Sequence, residues 1–112
     1  MAAYTELIMD QGSTFNNIIN LTDDVTNATL NIIGYEVRSQ MRRSYYSANA
    51  TANITCTITD YANGEITMSM TAANTAAIKA GRYLFDLETV DRLNTTVRVL
   101  EGIITVTPQI TR

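Results

Sequence analysis

Apolar and polar residues alternate along this chain in short runs, a period that suits strands whose successive side chains point to opposite faces of a sheet. Tyr35, Val37, Ser39 and Met41 fall on one side of such a run, and Glu36, Arg38, Gln40 and Arg42 on the other. Ile54, Cys56 and Ile58 alternate with Asn53, Thr55, Thr57 and Thr59, and Ile66, Met68 and Met70 alternate with Thr67 and Ser69. Between these runs lies DYANGE, where Asn63-Gly64 is a hairpin signal because both residues tolerate the positive φ of a tight primed turn. Ile54 to Ile58 and Ile66 to Met70 are therefore expected to pair antiparallel. Glu6 to Met9 and Thr14 to Asn20 flank Asp10-Gln11-Gly12 and read as two more short strands joined by a glycine-bearing turn. The tail from Thr95 to Thr107 is apolar at Val97, Val99 and Leu100, breaks at Glu101-Gly102, and resumes at Ile103, Ile104 and Val106. A glycine inside such a pattern predicts a bulge or a sharp bend.

One segment alone has helical character. Thr71 to Lys79 contains Ala72, Ala73, Ala76, Ala77 and Ile78, enough for one short helical turn near 72–79 and too little for an independent helix. It runs through Ala80-Gly81 into a strand alternating Tyr83, Phe85 and Leu87. About seven strands at short spacing, with turn chemistry between them, suit a β-sandwich or a small barrel; an all-β antiparallel β-sandwich is the expectation, and 112 residues fit a single domain spanning 1–112.

A helical turn that crosses between sheets just before a tyrosine-bearing strand resembles the immunoglobulin fold, in which that tyrosine lies near the start of the sixth strand, two residues before a cysteine. Tyr83 takes the tyrosine place, and Phe85 stands where the cysteine would be. Two readings stay open. Either Tyr83 forms a tyrosine corner, its hydroxyl bonded to backbone upstream, or the strand simply alternates Tyr, Phe and Leu.

Composition and charge narrow the partners. A 46% hydrophobic and 17% charged chain is expected to fold, and its net charge of −3 gives no electrostatic reason to expect a nucleic acid or an anionic membrane as partner. No apolar run approaches the roughly 20 residues that span a bilayer, and the start MAAYTELIMDQG lacks the basic and apolar regions of an export signal. Cys56 is the sole cysteine, so an intrachain disulfide and a CxxC site are both excluded. Without an export signal, triplets such as Asn20-Leu21-Thr22 and Asn53-Ile54-Thr55 read as exposed strand and turn residues rather than glycosylation acceptors.

Histidine is absent, which removes the usual serine and cysteine triads, imidazole general bases and histidine metal sites. Asp23-Asp24 and the group Asp86, Glu88 and Asp91 are the carboxylate groupings that could hold a cation or flank a sugar, but neither has a diagnostic ligand spacing, and they read as solvated faces and turns. Neither a GxGxxG nor a Walker pattern occurs. No enzyme activity, cofactor or metal is expected. The stretch QMRRSYYSANATANIT brings together Arg42, Arg43, Tyr45 and Tyr46, residue types enriched where protein surfaces bury one another. These four, with Tyr4 in the amino-terminal segment, are the candidate interface residues. The alternative is that one tyrosine caps the sandwich and SYYSANATA is a long connecting loop.

The stretches NIIGYEVRSQMRR, NGEITMSMTAANTAAIKAGRYLFDLE and LEGIITVTPQITR resemble, in order, small bacteriophage virion proteins and the immunoglobulin-like amino-terminal domain of phage baseplate upper proteins. Gly34-Tyr35 with Arg38 and Arg42, then Ala80, Gly81, Tyr83 and Asp86, then Gly102 through Thr111-Arg112 carry the likeness. The resemblance implies an immunoglobulin-like sandwich acting as a tail or baseplate connector, present in several copies or as a homo-oligomer among other virion proteins. Such a protein is made in the bacterial host cytoplasm and assembled into the virion. Baseplate upper proteins continue into long receptor-binding assemblies, whereas Arg112 is the last residue here. A capsid decoration protein is the alternative within this class. A carbohydrate-binding or adhesion sandwich, with Tyr45 and Tyr46 stacking on a sugar, is the alternative outside it.

Overall fold

Each alternating run becomes a strand with one dry face. A computed structural model describes residues 3–22, 28–44, 46, 47 and 49–110. Its elements follow in the order β1 (Ala3–Asp10), β2 (Phe15–Asn20), β3 (Glu36–Arg42), β4 (Ala52–Asp60), β5 (Glu65–Met70), α1 (Ala72–Ala76), β6 (Gly81–Val90) and β7 (Thr96–Thr107). The hydrogen-bonded order is β1-β7-β6-β3-β4-β5-β2, and β4 is the strand at which it folds over. The first residues of β4 pair with β3, Ala52 opposite Met41 and Ile54 opposite Ser39, while from Thr55 onward β4 pairs with β5. Two layers result, β1-β7-β6-β3 and β2-β5-β4. β1 runs parallel to β7, and the other neighbouring strands are antiparallel. This is the immunoglobulin-like β-sandwich that the sequence predicts.

A sheet can dry one face only by closing it on another layer. Met9, Met41, Tyr83, Phe85, Leu87, Leu100, Ile104 and Val106 supply the first layer's inner face. Phe15, Ile54, Ile66, Met68 and Met70 supply the second, and Ile32 and Ile78 close the core from the connecting segments. Phe85, opposite Met41 and Gly102 in the ladder, is buried where an antibody domain keeps a cysteine. An aromatic ring therefore occupies space between the sheets that a disulfide spans in those domains.

Two turn expectations need correction. The β4–β5 hairpin forms with Cys56 opposite Met68 and Ile58 opposite Ile66, yet its turn is not the two-residue primed type. It takes the four residues 61–64, and Gly64 alone has positive φ, at 66°. The Asp60 carboxylate explains the longer turn, because it accepts from the Asn63 backbone N–H at 3.3 Å and from Asn63 Nδ2 at 2.8 Å. A register shift between Ile58 and Asp60 accommodates it. In β7 the bulge lies at Val99, between the pairs Leu87–Leu100 and Glu88–Arg98, rather than at Gly102. Gly102 has another reason to be glycine. A Cβ there would lie 1.7 Å from the Thr5 carbonyl oxygen, so β1 approaches β7 closely only because Gly102 has no side chain.

The helix α1 has five residues, too few to persist alone. Thr71 caps it, its Oγ1 accepting from the Asn74 N–H at 3.2 Å. Thr75 then ties it to the β1–β2 turn: its buried hydroxyl donates to the Ser13 carbonyl at 2.8 Å and accepts from the Gly12 N–H at 3.1 Å. Gln11 adds a second tie, Nε2 donating to the Ile78 carbonyl at 2.8 Å. The crossing between layers is thus held from both sides, and β6 leaves it in a defined direction.

Candidate functional site

The outer face of the β1-β7-β6-β3 layer presents polar side chains in rows set by the ladder register. Asn53, Gln40, Asp86, Glu101 and Tyr4 lie opposite one another in one row across five strands. Arg42, Leu84, Ile103 and Glu6 form the next, and Arg38, Glu88 and Arg98 the row on the other side. Arg38 Nε meets Glu88 Oε1 at 2.9 Å. Arg98 bridges Glu101 at 3.0 Å and Asp86 at 3.5 Å. The ion-paired residues Arg38, Glu88, Arg98, Asp86 and Glu101, with Gln40, line an open concavity of about 730 Å³. Burial pushes the Asp86 carboxyl above its ordinary pKa, and Glu88 and Glu101 push the same way, against the opposing pull of Arg98 and Arg42.

The predicted interface residues separate into two places. Arg42, half-buried on the outer face at the end of β3, donates to the Ser47 carbonyl at 3.0 Å and to Gln40 Oε1 at 3.1 Å, so it braces the loop that follows. Tyr4 shares that face on β1, one row along and three strand spacings across, roughly 14 Å across the strands at about 4.8 Å each. It is 62% exposed and donates to Glu6 Oε1 at 3.3 Å. Arg43 turns instead to the end of the sandwich, its guanidinium 5.0 Å from the centroid of the Tyr83 ring. Tyr46 stands in the loop at 95% exposure and caps nothing. Tyr45 lies outside the described residues.

Sequence reading missed the outer-face rows. The polar alternation of Arg82, Asp86 and Glu88 along β6 was the available signal, but the partners come from β3 and β7, whose registers no local pattern reveals. The carboxylate group read from the sequence also divides. Asp86 and Glu88 face the concavity, whereas Asp91 belongs to the β6–β7 turn, where Oδ1 accepts from the Leu93 and Thr95 N–H groups at 2.9 Å each. Asp23 and Asp24 lie outside the described residues. Among the described residues no three His, Cys, Asp or Glu side chains gather as a metal site. Cys56 is half-buried in β4, and burial pushes its thiol up to about 11.

No protein-family model matches the chain, and no curated protein matches it. Among solved structures the chain is similar to CopC from Methylosinus trichosporium OB3b, at 13% identity and a TM-score of 0.43, over 70% of this chain and 72% of that one. That likeness is too slight to carry over any ligand or role.

Proposed function

We propose that this chain is a non-enzymatic structural protein of a bacteriophage virion, a tail or baseplate connector that works in several copies through protein–protein contacts. The observation that carries the reading is the β1 edge. β1 ends the hydrogen-bonded order, so among the described residues one of its backbone edges has no strand partner, and its outer side presents Tyr4 at 62% and Ile8 at 70% exposure. A strand edge with large apolar side chains is a pairing surface that monomeric proteins ordinarily cover or block. The ordered resemblance to phage virion proteins, from about Asn31 through Thr111-Arg112, supports the same reading.

Mass spectrometry of purified particles from the encoding phage, followed by immunogold or cryo-EM localisation, tests the proposal. The expected result is a fixed number of copies at the tail or baseplate. A capsid location would select the decoration alternative, and absence from purified particles overturns both. The exposed Tyr46 ring favours one further reading, a carbohydrate-binding module. A glycan array decides it: a glycan bound by the natural chain and lost on Tyr46→Ala supports this reading, and no bound glycan removes it.

A further inference from the structure

At the end of the sandwich where β3 stops and β6 begins lies a second open cavity, of about 650 Å³. Arg43, Lys79, Thr51 and Asn74 line it, and the buried residues Met70, Ile78 and Tyr83 form its floor. Two cations thus share one mouth. No Asp or Glu occurs among its described lining residues, and among the described residues neither Arg43 nor Lys79 forms an ion pair.

The Arg43 guanidinium and the Lys79 backbone are both positioned by the fold. Arg43 lies on the Tyr83 ring and passes over Gly81, where a Cβ would stand 3.2 Å from Arg43 Nη1. A guanidinium stacked on a ring keeps its edge N–H groups for a carboxylate, to which their fork is matched. Lys79 has its backbone carbonyl held by the Tyr83 hydroxyl at 2.5 Å, so one tyrosine anchors both sides of the cavity mouth. The chain as a whole carries −3. Its long-range field therefore disfavours an acidic partner, and attraction at this point is local.

We propose that this cavity is the docking site for an acidic peptide segment of a partner protein, with carboxylates on Arg43 and Lys79 and the partner's apolar groups against the floor. The inference rests on the reading of the chain as a docking module and gives that module a partner chemistry. Arg43 and Lys79 are themselves exposed, so the discrimination is that of two neighbouring cations at the rim of an apolar floor, and it weakens as salt is raised.

The test is a binding titration of the whole chain with a fluorescent glutamate-rich decapeptide at low salt, beside matched neutral and lysine-rich peptides. The glutamate peptide alone is expected to bind, with affinity falling about tenfold or more for Arg43→Gln and for Lys79→Glu and falling as salt is raised. Arg92→Gln, which removes a cation beside Gly34 on the β2–β3 connection, is expected to bind as the natural chain does. Lys79 is exposed, so Lys79→Glu tests the site even if Arg43→Gln disturbs the fold. Absence of binding to the glutamate peptide, or an equal loss in Arg92→Gln, overturns the proposal. Inorganic phosphate competing at the same concentration as the peptide also overturns it, in favour of a simple anion site. The docking-module reading fails separately: a chain found in virions yet blind to the peptide loses only this site, and a chain that binds the peptide but is absent from virions loses only its virion role.

Discussion

The Tyr83 hydroxyl donates a 2.5 Å hydrogen bond to the backbone carbonyl of Lys79, four residues upstream. Tyr83 is 2% exposed, so both its ring and its hydroxyl are committed to the fold. Of the two readings open for this strand, the tyrosine corner is the one adopted. Tyr83→Phe keeps the ring and the seat of Arg43 but removes the bond. The expected loss is about 1 kcal/mol, a fall in Tm of about 4 °C for a chain of this size. Thermal unfolding followed by circular dichroism measures it, and an unchanged Tm would mean the bond adds nothing over water.

Thr75 is fully buried between α1 and the β1–β2 turn, with its hydroxyl both donating and accepting. Thr75→Val preserves the shape and leaves the Gly12 N–H and Ser13 carbonyl without that partner. A destabilisation of about 2–3 kcal/mol is expected in urea unfolding, and Thr75→Ser should recover most of it. A valine variant as stable as the natural chain would show that water replaces the hydroxyl.

Gly102→Ala places a methyl group against the Thr5 backbone. β1 must move away from β7, at an expected loss of about 1–3 kcal/mol. Hydrogen exchange should then accelerate across Ala3–Asp10 while β6, paired on both sides, stays protected. Uniform acceleration through the whole sandwich would contradict a local effect.

Asp86 gives a pH dependence of defined sign. Its folded pKa is raised, by burial first and by Glu88 and Glu101 among its neighbours. Between the unfolded and folded values the native chain therefore holds more proton than the unfolded chain, and this group's contribution to stability declines as pH rises through that window. At pH 7 the charged Asp86 weakens the fold, so Asp86→Asn is expected to be the more stable protein there. The advantage should shrink as pH falls through the carboxylate window. Denaturation midpoints of the two proteins against pH check it, and an asparagine variant less stable at pH 7 would mean that the 3.5 Å contact with Arg98 outweighs desolvation and repulsion.

Cys56 is expected to react slowly. With its thiol raised from 9.0 to about 11, the thiolate fraction near pH 8 is about 100-fold lower than for an unperturbed thiol. Alkylation in native buffer, compared with alkylation in urea, measures this. Native labelling as fast as unfolded labelling would place the thiol in solvent.

Local sequence determined the strands, the α1 turn and the inward residues, because alternation and turn chemistry are written over a few neighbouring positions. Ile54, Ile66, Met68, Met70, Phe85 and Leu87 could be assigned to the core from period alone, and the structure buries all of them. The five-residue α1 was legible for the same reason. Tertiary structure alone decided what meets across strands. No local pattern reveals that β4 leaves β3 for β5 at Thr55, that Gly102 yields to the backbone of Thr5, or that Asp86 sits between Glu88, Arg98 and Glu101. Arg42 and Arg43 are neighbours in sequence and form one patch in the local pattern, yet strand alternation sends Arg42 to the outer face and the chain's exit from β3 sends Arg43 to the ring of Tyr83. Sites of this kind depend on register and on partners tens of residues away, and those are settled only when the two layers close on a common core.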